Sequence, residues 1–352
     1  MVDADKERDI SLMQCIPKTN YLQRELENVV GDMLQLAGAV PFELTDGTER
    51  GTRCVRLYNA AGLDLIVVCD RAMSIGRCTY CGVPISLETA VKNVHPSYCS
   101  VQGTEWLRSW PGGLLNTCGL TQVGESCQDE NEDLGLHGRI LSLPAHNVCC
   151  NSYWKDNEYY IEVQGTVSQI TIPNENICLK RTIRISLSST EIEVIDLIEN
   201  KSHVITPFMF LQHINLGFPF LQPGTTVHLP EHVTESKDSA PKEVLANAYF
   251  MEEPKWNYEE QVFYHDIKAD ENGVVAVTIK SPIGKQVTIQ YKKIDYPILT
   301  HCKMGGGRHY GLAIEPSNCH VQGRLAERKR GTLQFLQPNE LRECKLKIII
   351  SD

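Results

Sequence analysis

Short runs rich in Val, Ile, Thr and Tyr recur along the chain, some alternating apolar with polar positions and some apolar throughout. Alternation places successive side chains on opposite faces of a strand, and a continuous apolar run marks a strand buried on both faces. On this basis strands are predicted in TRCVRLYN (52–59), LDLIVVCD (63–70), YYIEVQGTV (159–167), CLKRTIRISLS (178–188) and IEVIDLIEN (192–200). Further strands are predicted in GVVAVTIK (273–280), KQVTIQYKK (285–293), GTLQFLQP (331–338) and LRECKLKIII (341–350). Turn residues separate them, as in NAAG, PNEN, SST, DENG, SPIG and QPNE. Strands joined by short turns imply antiparallel hairpins rather than βαβ units. Residues 21–36 read as a short helix or an early strand pair, residues 85–93 as one or two helical turns, and the polar stretch 124–138 as a long loop at a site edge. The pattern predicts an all-β fold, one large antiparallel β-sandwich with few short helices.

Composition narrows the function. A formal net charge of −10 over 352 residues, with no Lys/Arg-rich block, gives a nucleic-acid role no electrostatic support. The start, MVDADKERDI, lacks the apolar run of a signal peptide, and no stretch approaches a membrane span, so a cytoplasmic protein with no membrane partner is expected. Fourteen cysteines are scattered through the chain. Only Cys78 and Cys81 have metal-ligand spacing, with no second pair to complete a set, so buried thiols are expected rather than a metal site or a disulfide framework.

Three stretches carry candidate chemistry. In DLGLHGRI, His137 stands between Gly135 and Gly138, which allow a tight turn and close approach of another molecule. An exposed histidine in a glycine turn fits the same spacing. In TPFMFLQHINLGFPFL, Gln212 and His213 interrupt an apolar strand, so each must find a partner or face a cavity. Asn215 shares a strand face with His213, which suits a polar pocket wall, while a satisfied core histidine remains open. In GLAIEPSNCHVQGR, Glu315 ends an apolar run before Pro316, where sheet pairing is expected to stop. A carboxylate there serves either as a base with a raised pKa or as the partner of Arg324.

Taken in order, GLHG, LQHINLGFP and GLAIEPSN resemble the motifs of aldose 1-epimerases (galactose mutarotases). The chain is most similar to a less characterised aldose-1-epimerase-like branch, through DRAMSIG, WLRSWPGGLLNTCGL, LGLHGRI, PFMFLQHINLGFP, YHDIKAD and EPSNCHVQGR. It departs from the classical enzymes in Gln212 and Ile214 around His213. It departs from the branch in reading Arg71-Ala72-Met73-Ser74-Ile75-Gly76 for Arg-Gly-x-Asp-Ile-Gly, and in lacking a tryptophan near Cys302.

The resemblance implies a galactose mutarotase-like β-supersandwich over residues 1–352, with residues 1–50 an N-terminal extension packing on it. It implies interconversion of sugar anomers without metal or cofactor, the partner being a small-molecule sugar; the oligomeric state is left open. Glu315 matches the general base, His213 the general acid and His137 a sugar-contacting histidine. Asp266 matches a sugar-binding aspartate, and Arg71, His265, Asn318 and Arg324 belong to the branch patterns and are expected in the pocket. Arg71, Arg324 and Lys303 are candidates either to meet a phosphate, sulfonate or carboxylate on the substrate or to form sheet-edge salt bridges, the latter favoured for Lys303. A carbohydrate-binding protein without turnover, and an isomerase or lyase acting on a modified sugar in the same cleft, are the alternative functions.

Overall fold

The computed structural model describes residues 22–237 and 242–352. A 12-stranded sheet packs on an 8-stranded one. The larger sheet runs Gly38–Glu43, Arg53–Tyr58, Leu63–Val68, Ser74–Tyr80, Leu115–Leu120, Thr206–Leu216, His309–Ser317, Ile298–Gly306, Gln261–Ile267, His232–Ser236, with two short strands attached. The smaller runs His146–Lys155, Glu158–Thr171, Glu175–Ser186, Glu191–Asn200, Leu341–Ser351, Gln286–Lys292, Val274–Lys280, Thr226–His228. Helices are short, as in Gln23–Glu27 and Arg324–Arg330. The architecture is the predicted large antiparallel β-sandwich with few short helices.

Alternation sets the smaller sheet. In Glu191–Asn200, Ile192, Val194, Asp196 and Ile198 turn inward and are buried, while the intervening residues are half exposed. The central strands of the larger sheet are covered on both faces. In Thr206–Leu216, Phe208, Phe210, Ile214 and Leu216 join the core between the sheets, whereas Met209 and Leu211 join a second cluster with Trp106, Cys118 and Tyr264 on the opposite face. Two-sided burial is why that sequence runs apolar without a break.

A polar network crosses the core where two of these strands face. Arg181 donates from Nε and Nη2 to the two oxygens of Asp196, both at 2.7 Å, and both side chains are fully buried. Gln212, from the other sheet, donates to Asp196 Oδ2 at 2.6 Å and accepts from Arg181 Nη2 at 3.2 Å and Thr117 Oγ1 at 3.1 Å. Gln212 thus finds its partners inside the core.

The structure departs from the predicted elements in several places. Residues 85–93 hold a two-residue strand, Leu87–Glu88, and turns rather than helix. The stretch 124–138 contains a small hairpin, Cys127–Asp129 with Glu132–Leu134. The strand in 331–338 covers only Gln334–Leu336, preceded by the helix Arg324–Arg330. Pairing does not stop at Glu315: the strand continues to Ser317, with Pro316 opposite Leu299. Instead, the ladder toward Thr206–Leu216 skips Glu315 and Pro316, since proline offers no N–H to that neighbour. Among the described residues twelve cysteines are free thiols, but Cys81 is disulfide-bonded, a departure from the expectation of thiols only. Of the N-terminal extension, Leu26 and Ala37 join the core, and residues 1–21, including Cys15 and Tyr21, lie outside the described residues.

Removing one partner of a buried ion pair costs roughly 3–5 kcal/mol. Asp196→Ala is expected to lose about that much in a denaturant titration, and the paired replacement Arg181→Met with Asp196→Leu to lose less than Asp196→Ala alone. Equal losses would show that the network adds nothing beyond side-chain volume.

Candidate active site

The site grows from one row of residues across the larger sheet. Leu211 faces Ser317 and Ile214 faces Ile314, a register that sets His213 opposite Glu315. On one side His213 faces Asn116; on the other Glu315 faces Thr300, Thr300 faces Tyr264 and Tyr264 faces Glu235. Because Gln212 points into the core, His213 must point to the opposite face. There its Nε2 lies 3.3 Å from Glu315 Oε1, and both side chains are under a tenth exposed.

A cover closes over this row. Trp106 stacks on Trp110, with ring centroids 5.4 Å apart, and packs on His137 at 4.7 Å, while Trp110 lies 5.5 Å from the His213 ring. Trp110 is held by its indole N–H, which donates to Asn116 Oδ1 at 2.8 Å. His137 takes a left-handed backbone (φ 56°), and a Cβ on Gly138 would stand 2.5 Å from the carbonyl oxygens of Gly119 and Gln122, so the turn requires glycine there. The Gly124 N–H donates to His137 Nδ1 at 3.4 Å, which leaves the ring proton on Nε2. Trp106, Trp110, His137, His213 and Glu315, with Glu260, Lys237 and Glu125, line a cavity of about 260 Å³.

Burial moves the two central groups in opposite directions. It pushes the Glu315 carboxyl up to about 8, with the nearby Glu260 carboxylate adding to the rise. It pulls the His213 imidazole down to about 4, against a smaller opposing effect of Asn215. Desolvation, followed by repulsion from His213, lowers His137 to about 3. At neutral pH the His213–Glu315 pair therefore holds one proton, resting on Glu315. The unpaired buried atoms His213 Nδ1, Trp106 Nε1 and Thr300 Oγ1 belong to residues that line the same cavity.

Of the residues predicted for the site, the structure brings together His137, His213 and Glu315. The others stand elsewhere, each for a local reason. Arg71 is fully buried and donates to the carbonyl oxygens of Leu141, Val94 and Ser109. Asn318 accepts from the Phe210 N–H and donates to Phe208 O. Arg324 pairs with Asp129 and Glu132, both at 2.8 Å, and not with Glu315. His265 points to the opposite sheet face from Tyr264, with Nδ1 at 2.8 Å from Thr234 Oγ1. Asp266 is exposed and ion-paired with Lys293. Lys303 donates to Asn247 O at 2.8 Å on the face away from Thr300 and Cys302. The cation that does line the cavity, Lys237, is paired with Glu125 at 2.5 Å. Sequence reasoning missed Trp106, Trp110, Thr300, Glu260 and Lys237 as site residues, because only strand register and the path of the cover bring them in.

Among the described residues, no group of three or more His, Cys, Asp or Glu side chains is arranged to hold a metal ion, and no helix is long and apolar enough to cross a membrane.

The sandwich places this chain among proteins with the galactose mutarotase-like fold. A "putative aldose 1-epimerase" from Klebsiella pneumoniae superposes with a TM-score of 0.84 at 22% identity, covering 88% of this chain and 82% of that one. A galactose mutarotase-like protein from Clostridium acetobutylicum gives 0.61 at 14% identity, over 90% of this chain and 99% of that one. A galactose 1-epimerase from Lactobacillus acidophilus gives 0.57 at 12% identity, over 90% and 99%. The chain itself belongs to the family described as a domain of unknown function, DUF4432, whose model matches residues 49–350. No curated protein matches it.

Leaving a buried carbonyl without a donor costs about 1–3 kcal/mol. Arg71→Met orphans the three carbonyls that Arg71 satisfies and is expected to lose roughly 3 kcal/mol or more in chemical denaturation. An unchanged unfolding midpoint would contradict this structural role.

Proposed function

We propose that this protein is an isomerase that interconverts the α and β anomers of a free sugar or sugar derivative by opening and reclosing its ring. The observation that carries the reading is the buried His213–Glu315 pair, 3.3 Å apart, in a cavity lined by two tryptophans. The fold shared with aldose 1-epimerases and galactose mutarotase-like proteins supports it.

The chemistry needs one acceptor and one donor. Glu315 takes the proton of the anomeric hydroxyl as the bond from C1 to the ring oxygen breaks, and His213 gives a proton to that oxygen. The open-chain aldehyde turns about its C1–C2 bond and recloses on its other face, with each proton retracing its path. No net proton, electron or atom is exchanged. These roles require the shared proton to stand on His213 when the ring opens. Sugar hydroxyls that donate hydrogen bonds to the carboxylate favour that form over the resting one. His137, with its proton on Nε2, and Trp106 Nε1 supply further donors, and the tryptophan rings pack on the apolar face of the sugar.

Two outcomes follow. Glu315→Gln keeps the size of the side chain and an acceptor oxygen but takes up no proton, so anomer exchange at substoichiometric protein is expected to fall by roughly 10²-fold or more. Saturation-transfer NMR measures the exchange, and a folded variant near the wild-type rate would remove Glu315 from the mechanism. The same experiment separates turnover from binding alone.

The pH profile is expected to be bell-shaped, because the pair works with a single proton. Activity falls on the acid side as His213 gains a second proton near 4, and on the alkaline side as Glu315 loses the shared one near 8. A kcat/KM that stays flat from pH 6 through pH 10 would contradict a shared proton on a carboxyl raised to about 8.

A further inference from the structure

A second cavity, of about 520 Å³, opens beside the first and is lined by Val233, Glu235, Tyr264, Asp266, Ile298 and His320 among others. Its lining comes mostly from the same face of the same sheet, and His265 also lines it. Along Gln261–Ile267, Val262 faces the first cavity while Tyr264 and Asp266 face the second; along Ile298–Gly306, Thr300 and Cys302 face the first while Ile298 faces the second. The adjacent residues His320 and Val321 divide in the same way. Tyr264 lines the second cavity and not the first, its ring set edge-on against His320 with centroids 4.6 Å apart. The Tyr264 hydroxyl is buried without a well-formed hydrogen-bond partner.

We propose that this second cavity is a subsite for the next sugar unit of an oligosaccharide whose reducing end occupies the first. The inference rests on the sugar-binding reading of the His213–Glu315 cavity. Tyr264 stands two strands from Glu315 in one cross-sheet row, roughly 10 Å at the usual inter-strand spacing. A ring held with its anomeric carbon at Glu315 leaves the unit attached at its far side over the second cavity. The lining suits a sugar: Val233, 65% exposed, and Ile298 offer an apolar floor, while Glu235 and the Asp266–Lys293 pair offer acceptors and donors to hydroxyls. Asp266 and His320, from motifs that the first cavity does not absorb, find a use here.

The test compares kcat/KM for anomer exchange of glucose against maltose and cellobiose, and of galactose against 4-linked galactobiose. Wild-type protein is expected to favour at least one disaccharide over its monosaccharide by roughly tenfold or more. Val233→Trp, on the exposed edge strand, fills the subsite and is expected to cut that ratio by about tenfold, whereas Ile170→Trp on the other sheet leaves it unchanged. Ratios near unity in wild type, or a ratio that Val233→Trp does not move, overturn the subsite. If wild type exchanges none of these sugars, the mutarotase reading fails, and NMR titration of the same sugars decides the subsite by itself. Tighter disaccharide binding that Val233→Trp removes upholds it, and equal affinity or no binding overturns it.

Discussion

The site depends on an interaction that never touches it. Arg181 and Asp196 form a fully buried bidentate pair in the smaller sheet, and Gln212 reaches across the core to complete it. Side chains alternate along a strand, so fixing Gln212 inward fixes His213 outward. A slip of one residue would carry His213 into the core and Gln212 into the cavity. The desolvation of two charges makes such a pair a poor source of net stability. Its effect is on register, because no other inward residue of Thr206–Leu216 could satisfy Asp196 and Arg181 as Gln212 does.

Two-sided burial then sets the chemistry. An ordinary half-solvated sheet would leave His213 and Glu315 close to their usual pKa values. Here the cover of Trp106, Trp110 and the His137 turn removes water from the outer face, and loss of solvation favours the neutral form of each group. An acid is raised and a base is lowered by the same cause, so the pair converges on a shared single proton without any opposite charge being placed beside it. Glu260 reinforces the effect from the cavity wall.

The same burial governs what could be read from the sequence. Strands of the smaller sheet, such as Glu191–Asn200 and Gln286–Lys292, have one wetter face and show their alternation plainly. Leu115–Leu120 is buried at every position and carries no alternation, so it went unread although it holds Asn116 beside His213. His137, His213 and Glu315 were legible as polar residues set in turn or apolar contexts. Arg71, Asn318 and Arg324 were expected in the pocket only through the branch patterns, and a buried polar residue looks alike in sequence whether it meets a ligand or a backbone carbonyl. Thr300 and Glu260 offered no such contrast, and only the pairing of Thr300 with Glu315 brings it into the site.

Those motif residues outside the cavity have a common task. Asn318 ties the chain leaving the Glu315 strand to the backbone of Phe208 and Phe210 on the His213 strand, where the Pro316 gap has removed ladder bonds. Arg324 fastens Gln122, Asp129 and Glu132, the segment that leads to His137. Arg71 gathers the carbonyls of Val94, Ser109 and Leu141, which bracket both tryptophans and the His137 turn. Each uses side-chain hydrogen bonds where irregular backbone must be buried and no strand neighbour can serve it. The cover over His213 and Glu315 is therefore held by side chains that never reach the cavity. Residues that do not reach the cavity thus fall within the same sequence motifs as the residues that line it.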